Sequence, residues 1–237
     1  MSRKPVKRGS DPDDSKWFSD EAVEKLKKAQ DEIQWLLDRG YRFDSVLPFV
    51  CNHYLLSSRQ RLALQRSVSS SLKFEKRKKS MLGFEEAKEG CIYIDGFNLI
   101  ITIEVALSGS PVFLGKDGVI RDLAGLRGTY LIIDKTDMAL KLIGKSLSEL
   151  SVQGAIFYLD SPVSNSGRLG KKILRHSCWW NFPVDVELVP NADAILSKMN
   201  RIVTSDAIIL DECAGWFNLA RKIIEDHISY AWIVDLT

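Results

Sequence analysis

The segment Cys91-Ile-Tyr-Ile-Asp95 reads as a short buried strand that ends on an acid, and GFNLIITIEVAL (96–107) reads as the helix behind it. The same pattern recurs along the chain. AIFYLD (155–160) and RIVTSD (201–206) are apolar runs that close on Asp, VDVELV (184–189) alternates as a strand, and SYAWIVDL (229–236) supplies a fifth. Helical stretches are expected at 96–107, 132–150, 166–179, 191–199 and 215–227. Strand alternating with helix predicts an α/β layer fold with a mostly parallel sheet. One stretch departs from it: SPVFLGKDGVIRDLAG (110–125) reads as a β-hairpin insertion turning at Gly115–Gly118. Asp117, in that turn, is expected to be neutral to function.

Ahead of the α/β region the apolar spacing is helical. Ser19 reads as an N-cap for a helix carrying Val23, Leu26, Ala29, Ile33 and Leu36, stopped by Gly40. Asp44 and Ser57 would cap two more helices, with Pro48 near the first turn of one and Arg59, Arg61 and Arg66 facing outward from the other. The expected organisation is a disordered tail (1–16), a small all-α domain (17–72), a basic linker (73–88) and the α/β domain (89–237). Residues 1–80 hold 18 basic and 11 acidic groups, residues 81–237 hold 15 and 20. A basic segment on an acidic domain suggests a polyanion partner, although a solvated helix face and linker fit equally. On this division residues 85–237 are expected to fold alone, and residues 1–80 to add affinity for RNA.

Right-handed crossovers bring the C-terminal ends of parallel strands to one edge. Asp95, Asp160 and Asp206 should therefore meet there. Asp193, in PNADAIL after the third strand, points to the same edge, and Glu104, nine residues past Asp95, could line the same cleft. Two unit charges ~4 Å apart repel by about 4 kcal/mol at an effective dielectric of 20. Protons or cations must neutralise such a cluster, and hard oxygen ligands suit Mg²⁺ or Mn²⁺. The chemistry that uses this arrangement is phosphodiester hydrolysis. Each Asp also fits a plain helix N-cap.

YIDGFNLI (93–100) resembles the first motif of the PIN-like nuclease superfamily, in particular its NYN branch. YLDSP (158–162), NADAIL (191–196) and VTSDAIIL (203–210) are similar to its later acidic motifs. The resemblance covers about residues 90–237. It implies a three-layer α/β/α sandwich and metal-dependent cleavage of RNA, less often of DNA. Asp95, Asp160, Asp193 and Asp206 would be catalytic metal ligands, and Asn98 would order the first ligand and its water. The hairpin insertion and the 161–172 loop depart from the short PIN domains, and the family's mid-domain acid has a counterpart only if it is Glu104. The N-terminal unit, with RGY (39–41) and SRQRLALQR (58–66), resembles a small helical domain of an uncharacterised prokaryotic family.

Ser164 and Ser166, in the turn after Asp160, could offer hydroxyls and backbone N–H groups to a phosphate, with Arg168 and Lys171 on the helix behind as a substrate grip. Thr204 and Ser205 could hydrogen-bond a ligand carboxylate. Trp179 and Trp180 fit either base stacking or packing. Other phosphate chemistries lack their loops: there is no GxGxxG after the first strand, no GxxxxGK[ST] and no GxSxG. Four dispersed cysteines, no 18-residue apolar run and no apolar leader point to a reduced cytoplasm and no membrane span. Oligomeric state stays open, with a homodimer among the options. Two rival functions also stay open. One is a non-catalytic nucleic-acid-binding regulator whose 44–69 helix pair acts as a helix-turn-helix reader. The other is a metal-dependent phosphatase for small esters.

Overall fold

A computed structural model of the chain describes residues 7–126 and 128–237. Residues 1–6 of the expected tail lie outside the described residues. The helical region begins with α1 (Asp14–Trp17), α2 (Asp20–Leu37), α3 (Phe43–His53), α4 (Ser58–Ser67) and α5 (Ser71–Ser80). Ser19 caps α2 by accepting from the backbone N–H of Ala22, and Leu26, Ala29 and Ile33 form its buried face. Gly40, at φ +83°, takes the left-handed turn that follows α2. Ser57 and Gln60 cap α4 reciprocally, each side chain meeting the other's backbone N–H. Ser57→Ala is expected to lower stability by about 1 kcal/mol in urea unfolding. An unchanged midpoint would show that tertiary contacts alone hold this helix end.

Four expectations for this region fail. The end of the expected tail is ordered, since α1 starts at Asp14 and that residue is 4% exposed. Pro48 sits inside α3, past its first turn, because the helix starts at Phe43. The expected linker is α5, and its Arg77 is 1% exposed. The arginines of α4 do not point freely outward either. Arg59 pairs with the buried Asp14 at 2.8 Å, Arg61 donates to the carbonyls of Leu56 and Cys51, and Arg66 donates to the carbonyl of Asp122 at 2.8 Å.

The α/β region runs β1 (Cys91–Asp95), α6 (Gly96–Leu107), β2 (Val112–Leu114), β3 (Ile120–Arg121), α7 (Asp134–Glu149), β4 (Gly154–Asp160), α8 (Ser166–Ser177), β5 (Val184–Val189), α9 (Ala192–Leu196), β6 (Ile202–Val203), α10 (Ala207–Glu212), α11 (Leu219–His227) and β7 (Ile233–Asp235). Four strands form one parallel sheet in the order β5-β4-β1-β6, with helices on both sides. Asp95 lies opposite Tyr158 and Asp160 opposite Val189, so the strand ends are nearly level. The expected hairpin is present as antiparallel β2 and β3, but β7 leaves the main sheet to pair with β2. Among the described residues no helix is long and apolar enough to cross a membrane.

The main core lies between the sheet and α6, α7, α8 and α11. A second core joins the two regions. Leu26, Ile33, Val50 and Leu64 of the helices cluster with Phe113, Leu123, Val234 and Leu236 of the α/β region. The rings of Phe18 and Phe113 meet edge-on at 4.8 Å, and the buried Gln30 side chain donates to the carbonyl of Leu236 at 2.7 Å. The small sheet therefore has its partner in the helical region, and a boundary at residues 73–88 cuts through shared packing.

Candidate functional site

The strand-end turns are stitched to one another by side chains. Asp95 ends β1 and caps α6: its Oδ1 accepts from the backbone N–H of Asn98 at 3.3 Å, and its Oδ2 accepts from Thr204 Oγ1 at 2.8 Å. Asn98 reciprocates across the cleft, its Oδ1 accepting from both the N–H and the hydroxyl of Ser205 at 2.8 Å. Gly96 is required here, because a Cβ would stand 2.7 Å from Leu159 and 3.1 Å from the carbonyl of Tyr158. Asp206 caps α10 through Ile208 N–H, and Asp160 Oδ1 accepts from Ala192 N–H at 2.8 Å, tying β4 to the start of α9. Asn191, not Asp193, caps α9.

The capping reading of these acids holds for three of the four. Asp95, Asp160 and Asp206 bond helix N-termini, while Asp160 Oδ2, Asp206 Oδ2 and the Asp193 carboxylate accept no hydrogen bond among the described residues. All four line one cleft of about 580 Å³, together with Asn98, Ser205 and Arg66. No Lys or Arg among the described residues pairs with any of the four. Burial, reinforced by the charges of Asp193 and Asp206, pushes Asp95 up to about 7 against the hydrogen bonds from Thr204 and Asn98. Burial likewise raises Asp193, with Asp206 and Asp160 adding to it. The carboxylates therefore sense one another electrostatically.

Free carboxylate oxygens in an anionic cleft are the donor chemistry that Mg²⁺ and Mn²⁺ accept. The described residues nevertheless contain no preformed group of three His, Cys, Asp or Glu side chains able to hold a metal. A cation would have to draw the carboxylates closer.

A family model described as Domain of unknown function (DUF5616) matches residues 84–222. The chain belongs to this family. The DUF5616 match takes in all four aspartates, and a second model, Protein of unknown function (DUF434), matches residues 25–79, within the helical region. The chain is also 34% identical over 185 residues to an uncharacterized protein of Methanocaldococcus jannaschii, covering 78% of this chain and 88% of that protein. No solved structure matches.

Other expected site residues of this DUF5616 chain lie elsewhere. Glu104 is 0% exposed and does not line the cleft. Nine residues at about 100° each turn it roughly half a circle away from Asp95. Its carboxylate instead meets Tyr130 Oη at 2.6 Å, Thr136 Oγ1, and Arg8 Nε at 2.6 Å. Ser166 is buried and bonded within its own turn, and Ser164 pairs its backbone with Gly128 and Tyr130. Arg168 and Lys171 are exposed on α8, and none of these four lines the cleft.

The sequence reading missed the far wall of the cleft. Leu62, Gln65 and Arg66 of α4 line it, as do Arg121 at the end of β3 and Asp122 just after it. A buried relay stands behind it. Arg121 Nε donates to the carbonyl of Ser205 at 2.9 Å and grips Asp117 with its other two nitrogens at 2.9 and 2.7 Å. Arg77 donates to Asp117 at 2.8 Å and to Asp211 at 2.7 Å. Burial alone would raise Asp117, but the guanidiniums of Arg121 and Arg77 outweigh it and hold the carboxyl below its ordinary range. The expected neutral turn residue is a buried hub that supports the Ser205–Asp206 turn.

Proposed function

We propose that this chain is a Mg²⁺- or Mn²⁺-dependent endoribonuclease that hydrolyses phosphodiester bonds at the four-aspartate cleft. The observation that carries the reading is the set of strand-end carboxylates sharing one cleft with no cation paired to them among the described residues. Asp95, Asp160, Asp193 and Asp206 would hold the metal. When bound, it would supply Lewis-acid polarisation of the phosphate and a water activated near neutral pH. Thr204 and Asn98 orient Asp95 from two sides, so its carboxylate meets a ligand in one fixed pose. Arg66, a third exposed at the mouth, offers a guanidinium to a phosphate oxygen. Arg121 keeps the Ser205–Asp206 turn in register through Ser205. The four cysteines are free, which fits a reducing cytoplasm as the place of action.

The helix-turn-helix rival is weakened by α4, whose Arg59 and Arg61 bond protein groups and whose Arg66 faces the aspartate cleft. The deciding experiment incubates the full chain with end-labelled single-stranded and hairpin RNA in Mn²⁺, Mg²⁺ or EDTA. Cleavage is expected only with metal, and Asp206→Asn should reduce it to background. Absence of cleavage of RNA and DNA with either metal defeats the proposal. Hydrolysis of p-nitrophenyl phosphate without RNA cleavage would move the cleft to the phosphatases.

A further inference from the structure

We infer that the outer face of α7 and α8, away from the cleft, is a docking surface for single-stranded RNA. It shares with the reading of the cleft only the class of partner. Arg168, Lys171 and Arg175 follow at i, i+3 and i+7 and are exposed along one stripe of α8. None of them pairs with a carboxylate among the described residues. On the neighbouring helix, Lys141 is exposed and unpaired among the described residues, and Lys145 is only 3.7 Å from Glu149. Asp137 of α7, which faces α8, is already engaged: Lys172 stands 2.6 Å and His176 2.7 Å from its Oδ1. Both contacts pin α8 to α7.

The acids of the adjacent edge strand point the other way. Gly170 and Gly167 of α8 lie against Val186 and Leu188 of β5. Alternation then turns Asp185 and Glu187 to the opposite face of the sheet. The α7–α8 face therefore carries a net positive charge: Lys172 and Lys145 have Asp137 and Glu149, while Arg168, Lys171, Arg175 and Lys141 pair with no carboxylate among the described residues.

An aromatic side chain stands at the end of this stripe. Trp179 follows α8 directly and is 90% exposed, an unusual state for a side chain that is highly buried on average. Its neighbour Trp180 anchors the turn. The Trp180 ring lies so close on Gly144 that a Cβ there would meet its Nε1 at 2.0 Å, and it packs beside Phe157 and Phe182 with centroids 6.2 and 5.7 Å away. Trp179 is thus presented outward by a fixed base. It lines a groove of about 350 Å³ with Lys141, Lys145 and His176. Phosphates on unpaired cations with a base stacked on an indole is the chemistry of single-strand recognition. An exposed indole stacks on an unpaired base, so a single strand fits this surface better than a duplex.

The test uses the full chain in EDTA with a fluorescein-labelled 12-nucleotide oligouridylate, followed by anisotropy across a salt series. Trp179→Ala is expected to weaken binding about 5- to 150-fold, the equivalent of ~1–3 kcal/mol for one stacked base. Trp179→Phe should keep most of the affinity. Lys171→Gln with Arg175→Gln should flatten the log–log salt slope by about 1.4, the change for two phosphate contacts on a single strand. Lys25→Gln with Lys28→Gln on α2, which removes the same charge, should change neither. Binding of Trp179→Ala equal to wild type overturns the inference, as does an equal effect of the α2 pair. So does binding to phosphatidylserine vesicles, but not to RNA, through Trp179. Cleavage plays no part in EDTA, so this surface and the catalytic reading of the cleft stand or fall separately.

Discussion

A chain that starts at Met81 is expected to lose the sharp melting transition of the full-length protein. Its truncation removes the helices that cover Phe113, Leu123, Val234 and Leu236. It also removes Arg77, which leaves Asp117 and Asp211 without one of their buried partners. Breaking a buried ion pair from one side costs about 3–5 kcal/mol, because the remaining charge stays in a medium that cannot solvate it. Arg77→Met tests that part alone in the full chain. It should lower the melting temperature by roughly 6–20 °C for a chain of this size. Asp117→Asn should fall in the same range, since it weakens the grip of two guanidiniums at once. A Met81–Thr237 chain with a cooperative transition within a few degrees of wild type would show that the shared core is dispensable.

Elements whose signal is local were readable in the sequence. The strand of residues 91–95 and the helix of residues 96–107 have the bounds that their apolar run and periodicity predict. The parallel sheet and its acid-bearing edge follow from the alternation of such segments. What escaped depends on distant partners. The run KFEKRKKS looks like a linker because its central cation, Arg77, meets acids 40 and 134 residues away. Asp117 looks like a surface turn residue for the same reason. The last strand was recognisable as a strand, but apolarity does not name a partner, and it pairs with β2 rather than the main sheet. Glu104 is a different case: helical geometry alone turns it away from Asp95.

Asp95→Asn is expected to melt higher than wild type at pH 8 in EDTA, and to lose that advantage as the pH falls toward 4. Burial, joined by the charges of Asp193 and Asp206, moves this carboxyl from an ordinary 3.8 up to about 7. The folded chain therefore holds the proton more tightly than the unfolded chain, and ionisation of Asp95 destabilises the fold. The penalty is absent below the unfolded value, grows from about pH 4 to pH 7, and is complete above that. A shift of about three units corresponds to about 4 kcal/mol, or roughly 8–16 °C of melting temperature. Asparagine caps a helix nearly as well as aspartate, and it keeps an oxygen for the N–H of Asn98. Its amide would face Thr204 Oγ1, a hydroxyl with lone pairs for it and for the N–H of Asp206 that it already accepts. Mn²⁺ should stabilise wild type by about 2.7 kcal/mol at 100 times Kd, and the variant by much less. The three measurements separate the two roles of the residue. A variant that melts lower at pH 8, with a difference insensitive to pH, would make Asp95 a cap and nothing more. A wild-type chain whose melting ignores both Mn²⁺ and Mg²⁺ would leave the carboxylates strained but without a cation, and the nuclease reading would fall with the metal.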